Sequence, residues 1–90
     1  MKDTLRSRFE YIEKSRNDNK KLALERMVDI FPEAVDSFHH DIVDSIIMTI
    51  LTDGDLKLRD YIRLKLKEEK DDYVINIFQE WIEILNKKQL

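Results

Sequence analysis

The sequence contains no cysteine, one glycine (Gly54) and one proline (Pro32) in 90 residues. The lack of cysteine excludes disulfide bonds, thiolate zinc sites and cysteine nucleophiles, and it is typical of a protein that works in a reducing cytoplasm. A single glycine also excludes a glycine-rich phosphate loop. Because glycine and proline interrupt regular structure most often, the chain is expected to consist of long elements joined by short turns.

Long apolar runs are absent as well. The longest covers residues 46–51 and is far shorter than the roughly 18 residues that a membrane span needs. Residues 1–6 lack the apolar centre of a signal peptide, and no linker-like or repeated segment divides the chain. We therefore expect residues 1–90 to form a single cytoplasmic domain with no membrane contact.

Apolar residues recur every three or four positions along most of the chain, which predicts an all-α fold, a compact bundle of four or five short helices. Pro32 is expected to end or kink the second helix (residues 19–31) and to begin the third (residues 32–51). Gly54 is expected to close the third helix in a left-handed conformation. The predicted core consists of Phe31, Phe38, Ile46, Ile50, Ile77, Phe78 and Trp81.

Residues 56–66 fit two structures. Their leucines and isoleucines alternate with charged residues, which is typical of a strand, and Asp53-Gly54 is a common hairpin turn. An α+β fold with a hairpin at this dipeptide is therefore the alternative. A helix is favoured because long unbranched side chains dominate the segment and β-branched ones are scarce.

Charge is distributed unevenly along the chain, whose formal net charge is −3. Residues 27–55 contain seven Asp or Glu and no Lys or Arg, whereas residues 1–26 and 56–70 are each net positive. These blocks are expected to pair with one another or lie on separate solvated faces, or else to attract a partner of opposite charge. Within the acidic block, Asp36 and Asp44 are candidate contacts for a partner.

No arrangement of side chains predicts catalysis. Asp36, His40 and Asp44 lie four residues apart on the third helix, and their carboxylates and imidazole are competent ligands for a divalent metal. Residues eight apart on a helix are separated by about 12 Å, however, which is too far for one ion. The serines lack a nucleophile–base context. We therefore expect a non-enzymatic protein without a metal or cofactor.

The segment 56–70 has one basic face, formed by Arg59, Arg63, Lys67 and Lys70. Together with the preceding helix it could form a helix-turn-helix-like unit over residues 42–70, which makes DNA binding the alternative function. The negative net charge argues against this interpretation, as does the lack of Asn, Gln, Ser or Thr to read base edges.

The composition favours a protein–protein interaction or regulatory module of the adaptor, inhibitor or immunity type, as is common among small phage and bacterial proteins. Apolar faces generous for 90 residues further predict self-association as a symmetric homodimer. The last helix is the candidate contact, through Tyr73, Trp81 and Leu85; the alternative is that this face is wholly buried within one chain, the usual fate of an amphipathic helix face. A partner protein of unknown identity would use the same face.

Overall fold

A computed structural model of the chain describes residues 4–88. Its five helices are α1 (Leu5–Ser15), α2 (Lys20–Asp36), α3 (His40–Asp53), α4 (Leu56–Glu68) and α5 (Asp72–Lys87). No strand occurs between residues 4 and 88, so the predicted all-α bundle is confirmed and the alternative hairpin at Asp53-Gly54 is wrong. The ambiguous segment is helical because Asp55 caps it through the Leu58 amide (2.9 Å) and Leu58 and Ile62 reach the core one turn apart.

Short polar side chains begin four of the helices. Thr4, Asn19, Asp55 and Asp71 each accept a hydrogen bond from an amide in the first turn that follows. These bonds satisfy donors that have no partner within the helix. The Asp71 carboxylate at the start of α5 accepts from two amides, those of Tyr73 (2.9 Å) and Val74 (3.4 Å).

One apolar core joins the helices, with α2 at its centre in contact with the other four. Three aromatic rings form its middle: the Trp81 ring lies 4.8 Å from that of Phe31 and 5.4 Å from that of Phe78, measured between centroids. All three side chains are almost fully buried, as predicted. Tilted aromatic pairs of this kind add to the free energy gained from burial.

The expected helix boundary at Pro32 is wrong, because α2 continues through the proline to Asp36. A proline inside a helix loses one hydrogen bond and costs about 3 kcal/mol. Here the residues around it, Val28, Phe31 and Ala34, are all buried. Their packing outweighs the lost bond, so α2 remains helical for another turn and α3 begins only at His40.

The reversal between α2 and α3 has an unusual residue at its centre. The Phe38 and His39 amides donate to the carbonyls of Val35 (3.2 Å) and Ala34 (3.1 Å), which is the hydrogen-bond pattern of a Schellman motif. Phe38 therefore occupies the left-handed position that glycine normally takes, with φ of 59°. Its predicted place in the core is wrong as well, since its side chain is 76% exposed.

Gly54 is needed for a reason other than the predicted one. It closes α3 with φ of −66°, so it has no left-handed conformation. A Cβ atom at this position would lie 2.5 Å from the Ile50 carbonyl oxygen and 2.9 Å from the Leu85 side chain. Close packing of the α3–α4 junction against α5 therefore requires glycine.

Lys88 follows α5 and binds the end of α3. Its ammonium donates to the carbonyls of Leu51, Thr52 and Gly54 at 3.0–3.1 Å. A cation at this position satisfies free carbonyls and interacts favourably with the helix dipole. Within residues 4–88, no helix combines the length and apolar character needed to cross a membrane.

Candidate functional site

The exposed Phe38 ring borders a cleft of about 350 Å³ at the start of α3 and α5. The other residues that line the cleft are Val35, His40, Val43 and Tyr73. Tyr73 is 52% exposed, and the rings of Phe38 and His40 lie 6.3 Å apart. The exposed rings of Phe38 and Tyr73 beside an apolar cleft are characteristic of a protein contact surface.

Helical spacing extends the apolar lining of this cleft along the neighbouring sides of α3 and α5. The two helices run in the same direction, because Tyr73 and His40 lie together at their beginnings and Lys88 binds the carbonyls at the end of α3. Helical spacing places Ile47 and Leu51 along one edge, and Ile77 and Ile84 along the other. We call this surface the α3–α5 groove and define it by Phe38, Ile47, Leu51, Tyr73, Ile77 and Ile84.

None of these six side chains belongs to the fully buried core. Phe38, Tyr73 and Ile84 are exposed, while Ile47, Leu51 and Ile77 are partly buried against the core. Ile77 was predicted to be a core residue and lies at its margin. These six residues therefore form an apolar surface that is partly accessible to solvent, with its most exposed part at Phe38 and Tyr73.

Most carboxylates of the acidic block are paired with basic residues of the neighbouring blocks. The salt bridges join Arg6 to Asp41 (2.8 Å), Arg8 to Glu33 (2.6 Å), Arg16 to Asp53 (3.8 Å) and Lys65 to Asp29 (3.3 Å). Pairing within the fold is thus the main outcome of the uneven charge distribution. These contacts fasten α1 to α2 and α3, and α4 to α2.

Several carboxylates near the α3–α5 groove have no ion-pair partner among residues 4–88, as is also true of Glu10, Asp18 and Glu25 elsewhere in the described chain. Asp36 and Asp44 are exposed and form no ion pair with any residue between 4 and 88, and the same holds for Glu80 and Glu83 on α5. Asp36 also lies in the last turn of α2, where the helix dipole disfavours a negative charge. An acidic rim without internal partners therefore borders the apolar groove.

The structure divides the predicted partner-binding residues into two groups. Trp81 and Leu85 are 2% and 0% exposed, so their assignment to a contact surface is wrong. They face the centre of the bundle because α5 buries the stripe that also contains Val74 and Phe78. Tyr73 is accessible and lies in the groove, and Asp36 and Asp44 belong to its acidic rim.

Sequence reasoning missed Phe38 as a surface residue. A phenylalanine three residues after Val35 fits a helical core pattern, and glycine or asparagine usually marks the left-handed end of a helix. Neither residue is present at the α2–α3 junction, so no local signal indicated the reversal. The long α2, continuing past Pro32, is what places Phe38 beyond the helix end.

The predicted basic face is only partly available. The Arg59 guanidinium donates to the Asn86 side chain (2.5 Å) and to the Asp60 carboxylate (3.0 Å), so it connects α4 to α5. Arg63 and Lys67 are exposed, whereas Lys70 lies beyond the end of α4.

The predicted helix-turn-helix-like unit has no counterpart in the packing. Within the described chain, α4 packs against α5 and α2, with little contact to α3. The paired helices expected over residues 42–70 are thus not packed as a unit. DNA binding through the exposed basic residues stays a prediction.

Tyr61 and Asp41, which lie outside the groove, have shifted pKa values. Burial raises the pKa of the Tyr61 hydroxyl, and its hydrogen bond to the Asp29 carboxylate (2.6 Å) raises it further. The hydrogen bond from Arg6 lowers the pKa of Asp41. Each shift favours the protonation state that holds two helices together.

Among residues 4–88, no three His, Asp or Glu side chains converge on a position where they could hold a metal ion. Asp36, His40 and Asp44 do not form such a group, and the His40 ring lies 6.3 Å from that of Phe38. In comparisons with known proteins, no family model, curated protein or solved structure matches the chain.

Proposed function

We propose that this protein is a non-enzymatic protein–protein interaction module, of the inhibitor, immunity or adaptor type, that binds another protein through the α3–α5 groove. The observation that carries the proposal is Phe38. Its ring is 76% exposed, and its backbone has a φ of 59°, where side chains other than glycine are disfavoured. Both features destabilise the isolated chain, and strained residues of this kind concentrate at functional sites.

A partner that covers Phe38 would remove the unfavourable free energy of exposing its ring to water. An aromatic side chain buries about 150–250 Å² in all. At about 25 cal/mol per Å² of apolar surface, covering the exposed part of the ring contributes about 3 kcal/mol. This value is in the range of residues that dominate the affinity of protein complexes. Tyr73 adds a second aromatic contact, and tyrosine is enriched at such interfaces.

The cellular setting is part of the same proposal. The chain has no cysteine to oxidise and no residue to which we assign a catalytic role, so its action consists of occupying or connecting protein surfaces. We place that action in the cytoplasm.

Site-specific photo-crosslinking tests the proposal. p-Benzoylphenylalanine replaces Phe38 in one variant and Leu64 in another, since Leu64 is also exposed (59%) but lies on α4, outside the groove. We expect position 38 to form an adduct with another protein and position 64 to form none. Excess wild-type protein should compete the adduct away, and excess Phe38→Ser should not.

Other outcomes would contradict the proposal. Equal adducts at positions 38 and 64, or an adduct that wild-type protein does not compete away, would show that the groove is not selective. A mixed-sequence DNA duplex bound at low salt, with binding lost in Arg63→Glu/Lys67→Glu, would place the function on the basic face instead.

A further inference from the structure

We infer that the ligand of the α3–α5 groove is a basic amphipathic helix of the partner protein, lying along the groove. This inference rests on the proposed function and specifies the kind of partner. It follows from the extent of the apolar surface that helical spacing gives along α3 and α5, and from the carboxylates without ion-pair partners beside it.

The dimensions of the groove suit a helix. Its edges extend from residue 38 to residue 51 on one side and from residue 73 to residue 84 on the other, so it is about 15–20 Å long at 1.5 Å per residue. A helix of three to four turns has the same length. Such a helix would place apolar side chains at i, i+3, i+4 and i+7 against Phe38, Tyr73 and the isoleucines.

An extended peptide strand is a poorer fit for this protein. Recognition of a strand relies on main-chain hydrogen bonds to an exposed sheet edge. The part of the chain that the structure describes contains no sheet. Helical backbones satisfy their own hydrogen bonds, and the groove offers a helical ligand apolar contacts without any need for main-chain partners.

The charge of the rim sets the charge of the ligand. Asp36 and Asp44 lie on one side of the groove and Glu80 on the other, and within residues 4–88 none of them has a cationic partner. Asp41 and Asp29 do have one, whereas Glu10 and Asp18 also lack one within the described residues, so the rim carboxylates are distinguished by their place beside the apolar surface. Lys or Arg residues flanking the apolar stripe of the ligand would complement these free carboxylates and set its orientation.

A second copy of the chain is a less suitable ligand. A symmetric dimer through the groove would place the same surface against itself, so that Asp44 and Glu80 would meet the acidic rim of the other copy. Like charges opposed across an interface reduce affinity. The predicted homodimer also relied on Trp81 and Leu85, which are buried within one chain.

Synthetic helices test the inference directly. The probe is a labelled, end-blocked 18-residue peptide of Leu and Lys with Leu at i, i+3, i+4 and i+7 positions, followed by fluorescence anisotropy. Two control peptides replace every Lys by Glu, or insert two prolines to prevent helix formation. We expect the Lys helix to bind the full-length protein, and both controls to bind at least tenfold more weakly.

Matched protein variants separate the groove from the overall charge. Asp44→Lys/Glu80→Lys and Glu10→Lys/Asp18→Lys change the net charge equally, but only the first pair lies at the rim. All four residues are exposed, so these variants are expected to fold. We expect the rim pair and Phe38→Ser each to weaken binding at least tenfold. Glu10→Lys/Asp18→Lys and Leu64→Ser should change it less than threefold.

Several results would overturn the inference. Equal losses from the two charge pairs would indicate general electrostatic attraction, and equal binding of the Glu helix would show that the rim has no role. Sedimentation equilibrium that shows a dimer, lost in Phe38→Ser, would make a second copy the ligand. If no helix binds while the crosslink at position 38 persists, the inference fails and the interaction module stands. If no helix binds and the crosslink at position 38 is also absent, both the inference and the proposed function are refuted.

Discussion

Replacing Phe38 by alanine and by glycine measures the strain of the α2–α3 junction. Both variants remove the same ring, so the difference between them isolates the backbone conformation at φ of 59°. A residue with a Cβ atom pays about 1–2 kcal/mol in this left-handed region, and glycine does not. We therefore predict that Phe38→Gly is more stable to unfolding than Phe38→Ala by about 1 kcal/mol, although glycine normally destabilises regular structure.

Met48 provides the matched control for this comparison. It is 69% exposed and lies inside α3, where the backbone is helical. At such a position glycine is about 1 kcal/mol less favourable than alanine. Met48→Gly should therefore be less stable than Met48→Ala, so the two sites should show opposite signs and differ by about 2 kcal/mol.

Urea denaturation followed by far-UV circular dichroism gives the four free energies, and thermal unfolding gives an independent check. A difference of 1 kcal/mol corresponds to about 4–8 °C in Tm for a domain of this size. If Phe38→Gly were less stable than Phe38→Ala, position 38 would not be left-handed, and the argument for strain at the groove would be refuted. Failure of excess Phe38→Gly, despite its greater stability, to compete away the adduct formed at position 38 would show stability exchanged for binding.

Three further predictions concern contacts between helices. Gly54→Ala should lower the free energy of unfolding by about 1–3 kcal/mol, because the new Cβ meets the Ile50 carbonyl at 2.5 Å. An unchanged urea midpoint would show that the α3–α4 junction has room for a Cβ atom. Lys88→Met should lower the free energy of unfolding by about 1 kcal/mol, because the end of α3 loses its cation, whereas the adjacent Lys87→Met should lower it little. Equal effects of the two substitutions would show that Lys88 does not stabilise the end of α3. The raised pKa of Tyr61 means that the folded state retains the phenol proton more tightly than the unfolded state, so stability is complete below about pH 10 and falls above it. In Tyr61→Phe this alkaline decline in urea midpoint should be smaller. The same decline in both proteins would show that ionisation of Tyr61 is not its cause.

The sequence was a good guide wherever periodicity and caps agreed. The stripe of α5 and the caps at Asp55 and Asp71 follow directly from local rules, because each is satisfied within a few residues of the chain. The choice between helix and strand for residues 56–66 was also correct. There, helix propensity and the Asp55 cap favour the same structure.

The errors cluster where tertiary packing overrides a local rule. Pro32 is a strong helix breaker in isolation, and only the buried residues on both sides of it keep α2 helical. Because α2 extends to Asp36, Phe38 lies beyond the helix end and is exposed, not in the predicted core. Trp81 and Tyr73 share one apolar face in the sequence, and periodicity alone could not divide it between the core and the groove.

The contact between Lys88 and the end of α3 also sets when the groove can exist during synthesis. The carbonyls that this lysine binds lie 34 to 37 residues before it. Ribosomes make the amino-terminal end first, so α1, α2 and α3 are complete while these carbonyls are still hydrated and Phe31 still lacks the Trp81 ring. A nascent chain that ends before α5 (Asp72–Lys87) therefore has one wall of the groove and an uncovered apolar face on α2. The contact of Lys88 with the end of α3 forms last, so the groove is complete only when α5 has been synthesised.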